Sequence, residues 1–271
     1  MIPAAFDYVR AGSADEAVSL LTQHGDEAKL LAGGHSLLPL MKLRLATPSV
    51  LVDIGRVSDL SYVRDDGDVV AVGALTRHHD IVGSALLQEQ VPLLPAAAKT
   101  IGDPQVRHRG TIGGSLVHGD PASDLPAVVL ALGGSMVVRG PSGERTIGAD
   151  DFFTGFLETA VQPDELLTEI RLPKVPGTGW SFQKFHNRSQ DWAIVGVAAV
   201  AGKGVALVNM GSVPVRAPAV EAALAAGASA ADAAQAAPDG TDPPADLNAT
   251  VEYRQHLARV LVRRALEECG L

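Results

Sequence analysis

Two Gly-Gly pairs constrain this chain more than any other feature of its sequence. The first lies in Leu31-Ala32-Gly33-Gly34-His35-Ser36-Leu37, at the end of a short apolar run, Lys29 to Ala32. The second lies in Thr111-Ile112-Gly113-Gly114-Ser115. Paired glycines permit φ > 0 and let a backbone approach a neighbour closely. At the first pair the N–H groups of Gly34, His35 and Ser36 can line a phosphate, with the Ser36 hydroxyl beside them; the second pair follows the same logic with Thr111 and Ser115. One Gly-Gly pair is most often a tight turn. Two pairs far apart in sequence, each with a hydroxyl, are explained together by one dinucleotide pyrophosphate gripped from both sides. No Gly-x-Gly-x-x-Gly opens a βα unit, so a nicotinamide-type dinucleotide fold is not indicated.

Charge and cysteine usage narrow the chemistry. The net charge is −9, against the basic face of a nucleic-acid binder. An anionic ligand must therefore be met locally, by backbone N–H groups and helix N-termini. Cys269 is the only cysteine. It can form no disulfide within the chain, and an iron–sulfur cluster needs about four thiolates. No HExxH or zinc-spaced His/Cys set is present, and His78-His79 reads as a pair of surface or loop polar residues. Redox chemistry here requires an organic cofactor. No run of about 18 apolar residues is free of charge, and MIPAAFDYVRAGSADEA lacks a signal core, which makes a cytoplasmic location the expectation.

Strands and helices intermix over the first 173 residues. Ser13 with Glu16 forms a capping-box pattern for a helix over 13–24, stopped by Gly25. Strands are expected at 29–32, 49–54, 69–73 and 166–172. A hairpin is expected from 135–139 and 144–147 around Gly140-Pro141-Ser142-Gly143, and a helix over 122–132. Pro173 to Gly179 reads as a linker. Beyond it, strands at 180–185, 193–201 and 204–210 join helices over 217–236 and 250–268, the latter with Leu257, Leu261 and Leu266 inward and arginines outward. The fold class is α+β. A first domain covers 1–173, in two parts of about 1–55 and 56–173. A small domain of three strands and two helices covers 174–271.

The runs AGGHSLLPLMKLRL at 32–45 and TIGGSLVHGDPASDLP at 111–126 resemble the FAD-binding medium subunits of molybdenum hydroxylases. So do KFHNRSQDWAIVGVA at 184–198 and VEYRQHLARVLVRRAL at 251–266. That family includes carbon monoxide dehydrogenase, xanthine dehydrogenase and enzymes oxidising aldehydes or N-heterocycles; the carbon monoxide dehydrogenase branch is the nearest resemblance. The resemblance implies a two-part FAD domain of the vanillyl-alcohol-oxidase (PCMH) type and noncovalent FAD. It implies a small subunit with two [2Fe–2S] clusters and a large subunit with molybdenum cofactor, joined as a dimer of heterotrimers that delivers electrons through FAD to an external acceptor. The acceptor stays open among a quinone, NAD, oxygen and a carrier protein; the missing nicotinamide motif favours a quinone or other membrane-linked acceptor, which allows association with the inner face of a membrane. By the same resemblance, Leu31 to Leu37 and Thr111 to Ser115 hold the pyrophosphate, and Asp124 contacts the adenosine ribose. Ile101 and Leu167 touch the cofactor by backbone or apolar contact, Lys184 lies near the flavin ring, and Trp192 covers its isoalloxazine face. Carbon monoxide is the first substrate implied; xanthine, aldehydes, nicotine and other N-heterocycles stay open.

Two other readings stand beside this one. His35 follows Gly-Gly as in some flavin oxidases that attach FAD covalently, which would make the chain a self-contained oxidase; the small C-terminal region leaves little room for a substrate domain. A flavin-free scaffold that kept the fold is the reading from another class, and the intact glycine segments argue against it.

Overall fold

The computed structural model describes residues 2–271. The chain first forms β1 (Asp7–Arg10), α1 (Ala14–His24), β2 (Ala28–Leu31), α2 (Leu37–Leu43) and β3 (Val50–Asp53). The three strands make a parallel sheet in the order β1-β3-β2. Helix α1 buries Ala14, Ala17, Val18 and Leu21, the i, i+3, i+4, i+7 stripe that places apolar groups on one helical face. Ser13 caps it by accepting the Glu16 N–H at 3.1 Å. The Glu16 carboxylate takes the Gly12 N–H at 2.7 Å, one residue earlier than a regular capping box.

A second, antiparallel sheet follows. It uses β4 (Val63–Asp66), β5 (Val69–Gly73), β6 (Ser135–Gly140), β7 (Gly143–Gly148) and β10 (Leu166–Pro173), in the order β4-β5-β10-β6-β7. Between β5 and β6 run α3 (His78–Gly83), α4 (Ala85–Gln90), α5 (Leu93–Lys99), α6 (Pro104–Arg107), α7 (Ile112–His118) and α8 (Asp124–Leu132). Between β7 and β10 lie α9 (Ala149–Phe152) and a small hairpin of β8 (Phe153–Gly155) and β9 (Glu158–Thr159). The last region pairs β11 (Trp180–Phe185), β12 (Val195–Val200), β13 (Gly204–Val208) and β14 (Val215–Arg216) in order, covered by α10 (Pro218–Ala225), α11 (Ala230–Ala233) and α12 (Val251–Glu268). Four strands stand where three were expected, because the two residues of β14 are too short for alternation to register.

Helix α8 explains how the last two regions join. All nine of its residues are buried, as a helix apolar on every side must be. One side meets β12 and β13 and the other faces α5 and β10, so the second sheet and the C-terminal sheet share one continuous core. The expected linker is pinned rather than free. Lys174 and Val175 donate their N–H groups to Asp68 and Gln90 at 3.1 and 2.8 Å, and Val175 is buried. On α12 the leucines face inward as expected, but Arg254 does too, with no exposed surface. It donates to the Ile194 carbonyl and to Asp246 at 2.7 Å.

A buried carboxylate ties the strands of the second sheet. Glu169 on β10 accepts from the Tyr62 hydroxyl at 2.6 Å, from Arg64 at 3.1 Å and from Arg171 at 2.6 Å. Burial pulls this carboxyl up, but the Tyr62 hydroxyl and the two guanidiniums outweigh it and hold Glu169 below the usual carboxylate range. A depressed acid contributes stability above its unfolded value and loses it as pH falls through the folded value. Glu169→Gln is expected to lower the free energy of urea unfolding by about 2 kcal/mol at neutral pH. The gap between variant and parent should shrink at pH values below the ordinary carboxylate range.

Candidate functional site

The two glycine segments, far apart in sequence, touch in space. Gly33 sits so close to the carbonyl of Arg109 that a Cβ there would overlap it, with Gly110 Cα 3.0 Å away. Gly34 adopts φ +75°, a conformation side chains disfavour. These two requirements account for the first pair. The second pair is built differently. Thr111 to Ser115 is the start of a helix rather than a loop: Thr111 caps α7. A Cβ on Gly113 would lie 2.6 Å from the Ala74 carbonyl, so this glycine lets α7 pack on the strand end.

The donors differ in the same way. Among the described residues, no protein acceptor takes the N–H of Gly33, Gly34, His35 or Ser36. The N–H groups of Ile112 and Gly113 go to the carbonyls of Thr76 and Ala74 at 3.1 and 2.8 Å. Ser115 donates to the Thr111 carbonyl at 3.1 Å, and Gly114 to the Thr111 hydroxyl at 3.2 Å. The symmetry expected from sequence does not hold at this level. Free backbone donors are concentrated on the first segment, and the second supplies a packed wall.

Histidines and arginines surround the contact. His78 opens α3 and is 4% exposed, contrary to the surface position expected for the His78-His79 pair. Gly110 rests on its ring, so that a Cβ at 110 would be 2.7 Å from Cδ2. Burial, helped by the nearby charges of His35, Arg107 and Arg77, pushes the His78 imidazole down to about 4. It is a neutral ring under the loop, and His79 alone is exposed, its ring 3.9 Å from that of His108. Burial and then Arg109 also lower His35, against the pull of Asp103. Arg77 donates to the Arg109 carbonyl, the same oxygen on which Gly33 packs.

A second cluster lies where α5, α8 and β11 meet. Lys184 on β11 reaches Asp124, the first residue of α8, at 2.7 Å, and both side chains are nearly inaccessible. Lys184 also donates to the Thr100 carbonyl at 3.3 Å, next to Ile101, whose own carbonyl accepts from Arg107 at 2.8 Å. Asp124 Oδ1 has no partner. Burial pushes this carboxyl up, in spite of Lys184 and Thr100. His186 Nδ1 is likewise buried and unpartnered. Leu167 is buried on β10, at a bulge before Glu169. Trp192, on the loop between β11 and β12, is 56% exposed. Asp191 beside it accepts from the Arg188 N–H and Nε at 3.1 and 3.2 Å. A cleft of about 400 Å³ runs past Trp192, Asn187, Asp246 and Arg254 to Ala122, two residues from Asp124. Neither glycine segment lines it.

These residues fit a flavin dinucleotide. Unpaired N–H groups at a glycine turn suit phosphate oxygens. A buried carboxylate oxygen without a donor suits a ligand N–H or hydroxyl. An exposed indole beside a cleft suits a planar ring. Asp124 and Lys184, which the sequence assigns to the adenosine ribose and to the neighbourhood of the flavin ring, form a single ion pair. The sequence reading also missed Arg77, Arg109, His78 and Thr100. The signal for Arg109 was present in Arg107-His108-Arg109, a basic run in an acidic chain just before Gly110 and Thr111.

Comparison with known proteins agrees with this geometry. Residues 4–175 match the family described as FAD binding domain in molybdopterin dehydrogenase. Residues 180–269 match the CO dehydrogenase flavoprotein C-terminal domain. The chain therefore belongs to the family of FAD-binding medium subunits of molybdenum hydroxylases. It is 43% identical to the carbon monoxide dehydrogenase medium chain of Hydrogenophaga pseudoflava, over 98% of this chain and 97% of that one. It is 36% identical to the nicotine 6-hydroxylase medium subunit of Paenarthrobacter nicotinovorans, over 98% of each. A solved structure of the Hydrogenophaga pseudoflava carbon monoxide dehydrogenase superposes with a TM-score of 0.97, covering 100% of this chain and 99% of that one. Among the described residues, no helix is long and apolar enough to cross a membrane.

Proposed function

We propose that this chain is the flavin subunit of an aerobic carbon monoxide dehydrogenase. In that reading it takes electrons from the [2Fe–2S] clusters of a small partner subunit, downstream of a large molybdenum subunit, and hands them to an external acceptor. The observation that carries the reading is the contact between the two glycine segments, made by a chain 43% identical over nearly its whole length to a carbon monoxide dehydrogenase medium chain. FAD, when bound, supplies the capacity to accept electrons and pass them on.

The chain's residues divide the work of holding it. The free N–H groups of Gly33 to Ser36 bind the pyrophosphate, between Leu31 and Leu37, with Thr111 to Ser115 as the opposing wall. The neutral His35 is a noncovalent neighbour. Asp124 and Lys184 belong together at the flavin end, because Ala122 and Trp192 share one cleft beside them. There Asp124 Oδ1 accepts from the ligand, Lys184 holds the carboxylate in place, and Trp192 covers the ring and sheds water from it. Thr100-Ile101 and Leu167 back the same region. The units proposed are 1–173 for FAD and 174–271 for the cover over its ring end. The assembly is a dimer of heterotrimers with a quinone or other carrier as acceptor.

The test is purification of the tagged chain from cells that express its neighbouring genes. Two further subunits should accompany it, one with four iron atoms and one with molybdenum. Acid precipitation should leave all of the FAD in the supernatant. A chain that purifies alone with flavin fixed to the pellet would establish the self-contained oxidase instead.

A further inference from the structure

The diphosphate of FAD carries two negative charges, and the chain that must hold it carries a net charge of −9. Backbone N–H groups supply partial charges only. At the second glycine segment the N–H groups of Ile112, Gly113, Gly114 and Ser115 are already engaged within the protein. Full positive charge near the contact comes from three arginines, 77, 107 and 109. Among the described residues, none of the three has a carboxylate within ion-pair distance. Asp80 and Asp53 act on Arg77 only from farther away.

The three are not equivalent. Arg107 is spent on the turn before α6, where it donates to the carbonyls of Ile101 and Gly102 at 2.8 and 3.3 Å. Arg77 donates to the carbonyl of Arg109. The Arg109 guanidinium makes no hydrogen bond to the protein, and the residue is exposed. Its backbone is fixed from two directions at once, by Arg77 on the carbonyl and by Gly33 packed on the same oxygen. A free guanidinium is thereby anchored beside the only cluster of free N–H groups in the two segments. A guanidinium presents a rigid fork of donors that matches phosphate oxygens.

We propose that Arg109 is the diphosphate-binding cation of this flavin site, and that Arg77 is the positioning residue that sets its backbone. The assignment rests on the FAD-subunit reading above and adds to it a side chain that directs affinity to the phosphates rather than to the ring. A conformationally buried role would act on every flavin alike; this role acts only on flavins that carry phosphate.

The test uses the assembled complex, stripped of flavin and titrated with FAD and with riboflavin while flavin fluorescence is followed. Arg109→Gln is expected to weaken FAD about tenfold or more, the range for a hydrogen bond to a charged group, and to leave riboflavin within about twofold. Arg109→Lys should recover part of the loss, since it keeps the charge and loses the fork. The salt dependence of FAD binding should flatten in Arg109→Gln and not in Arg109→Lys. Arg77→Gln should weaken FAD as well, with riboflavin again spared. Equal losses for FAD and riboflavin, or unchanged FAD affinity in a folded Arg109→Gln complex, would overturn the assignment. A parent complex that binds neither flavin would instead remove the FAD-subunit reading itself.

Discussion

Gly33→Val is expected to strip the chain of flavin while its neighbours in the motif give milder or different effects. A side chain at Gly33 meets the carbonyl of Arg109, a backbone atom held in place by Arg77, so neither partner can yield cheaply. The two segments must separate, and the N–H groups of Gly34 to Ser36 lose their alignment with the opposing wall. Flavin released per chain from the purified complex should fall by about tenfold or more, with fold stability reduced by about 1–3 kcal/mol, the usual range for overpacking. Gly114→Val makes a useful contrast. Its Cβ would lie 2.9 Å from the Thr111 hydroxyl, a side-chain atom able to rotate, and Gly114 is exposed, so most of the flavin should be kept. Gly113→Val differs again: the buried clash with the Ala74 carbonyl should lower stability before any flavin measurement is meaningful. Equal flavin loss in Gly33→Val and Gly114→Val would contradict the division between a donor segment and a packed wall.

Lys184→Met is expected to be the most destabilising single change outside the hydrophobic core. It leaves the Asp124 carboxyl buried and without its cation, a loss of about 3–5 kcal/mol in comparable cases. Burial already holds the Asp124 carboxyl above the usual range with Lys184 present. Removing the lysine raises it further. An acid with a raised folded value favours the native state at low pH and opposes it as pH rises through that value. Urea unfolding of Lys184→Met should therefore approach the parent near pH 4 and fall away from it towards neutrality. The double variant Asp124→Asn/Lys184→Met should recover much of the stability, because a neutral amide removes the buried charge. It should not recover flavin binding in full, since the charged acceptor proposed to meet the ligand becomes a neutral amide that keeps only one oxygen.

Much of the architecture could be read from local chemistry. Ser13 and Glu16 marked the start of α1, Gly140 to Gly143 marked the β6–β7 turn, and Leu257, Leu261 and Leu266 gave the inner face of α12. What escaped detection was set by partners distant in sequence. Strand β1 has a largely exposed pattern and is defined by pairing with β3, forty residues on. Gly113-Gly114 is a poor helix sequence, so no local pattern marks the start of α7; its capping by Thr111 and its seat on Ala74 set it. His78 looked polar and exposed until Gly110 covered it.

The candidate site divides along the same line. The glycine pairs were visible as a motif, and so was the tryptophan. The inequality of the two segments was not, since it depends on whether Thr76 and Ala74 present carbonyls to α7. Nor does any local pattern indicate that Asp124 and Lys184, sixty residues apart, neutralise each other. An isolated lysine in a strand is ordinarily solvated. Here the C-terminal sheet carries it into the interior, onto the end of α8, the helix on which that sheet is packed.

The most direct test of the account follows the flavin itself. The assembled complex is prepared with and without its iron–sulfur subunit, made anaerobic, and exposed to carbon monoxide while flavin absorbance is recorded. The account predicts bleaching of the flavin in the full complex, none when the iron–sulfur subunit is missing, and full bleaching of both by a strong chemical reductant. Bleaching by carbon monoxide without the iron–sulfur subunit, or a full complex whose chain holds no flavin, would contradict it.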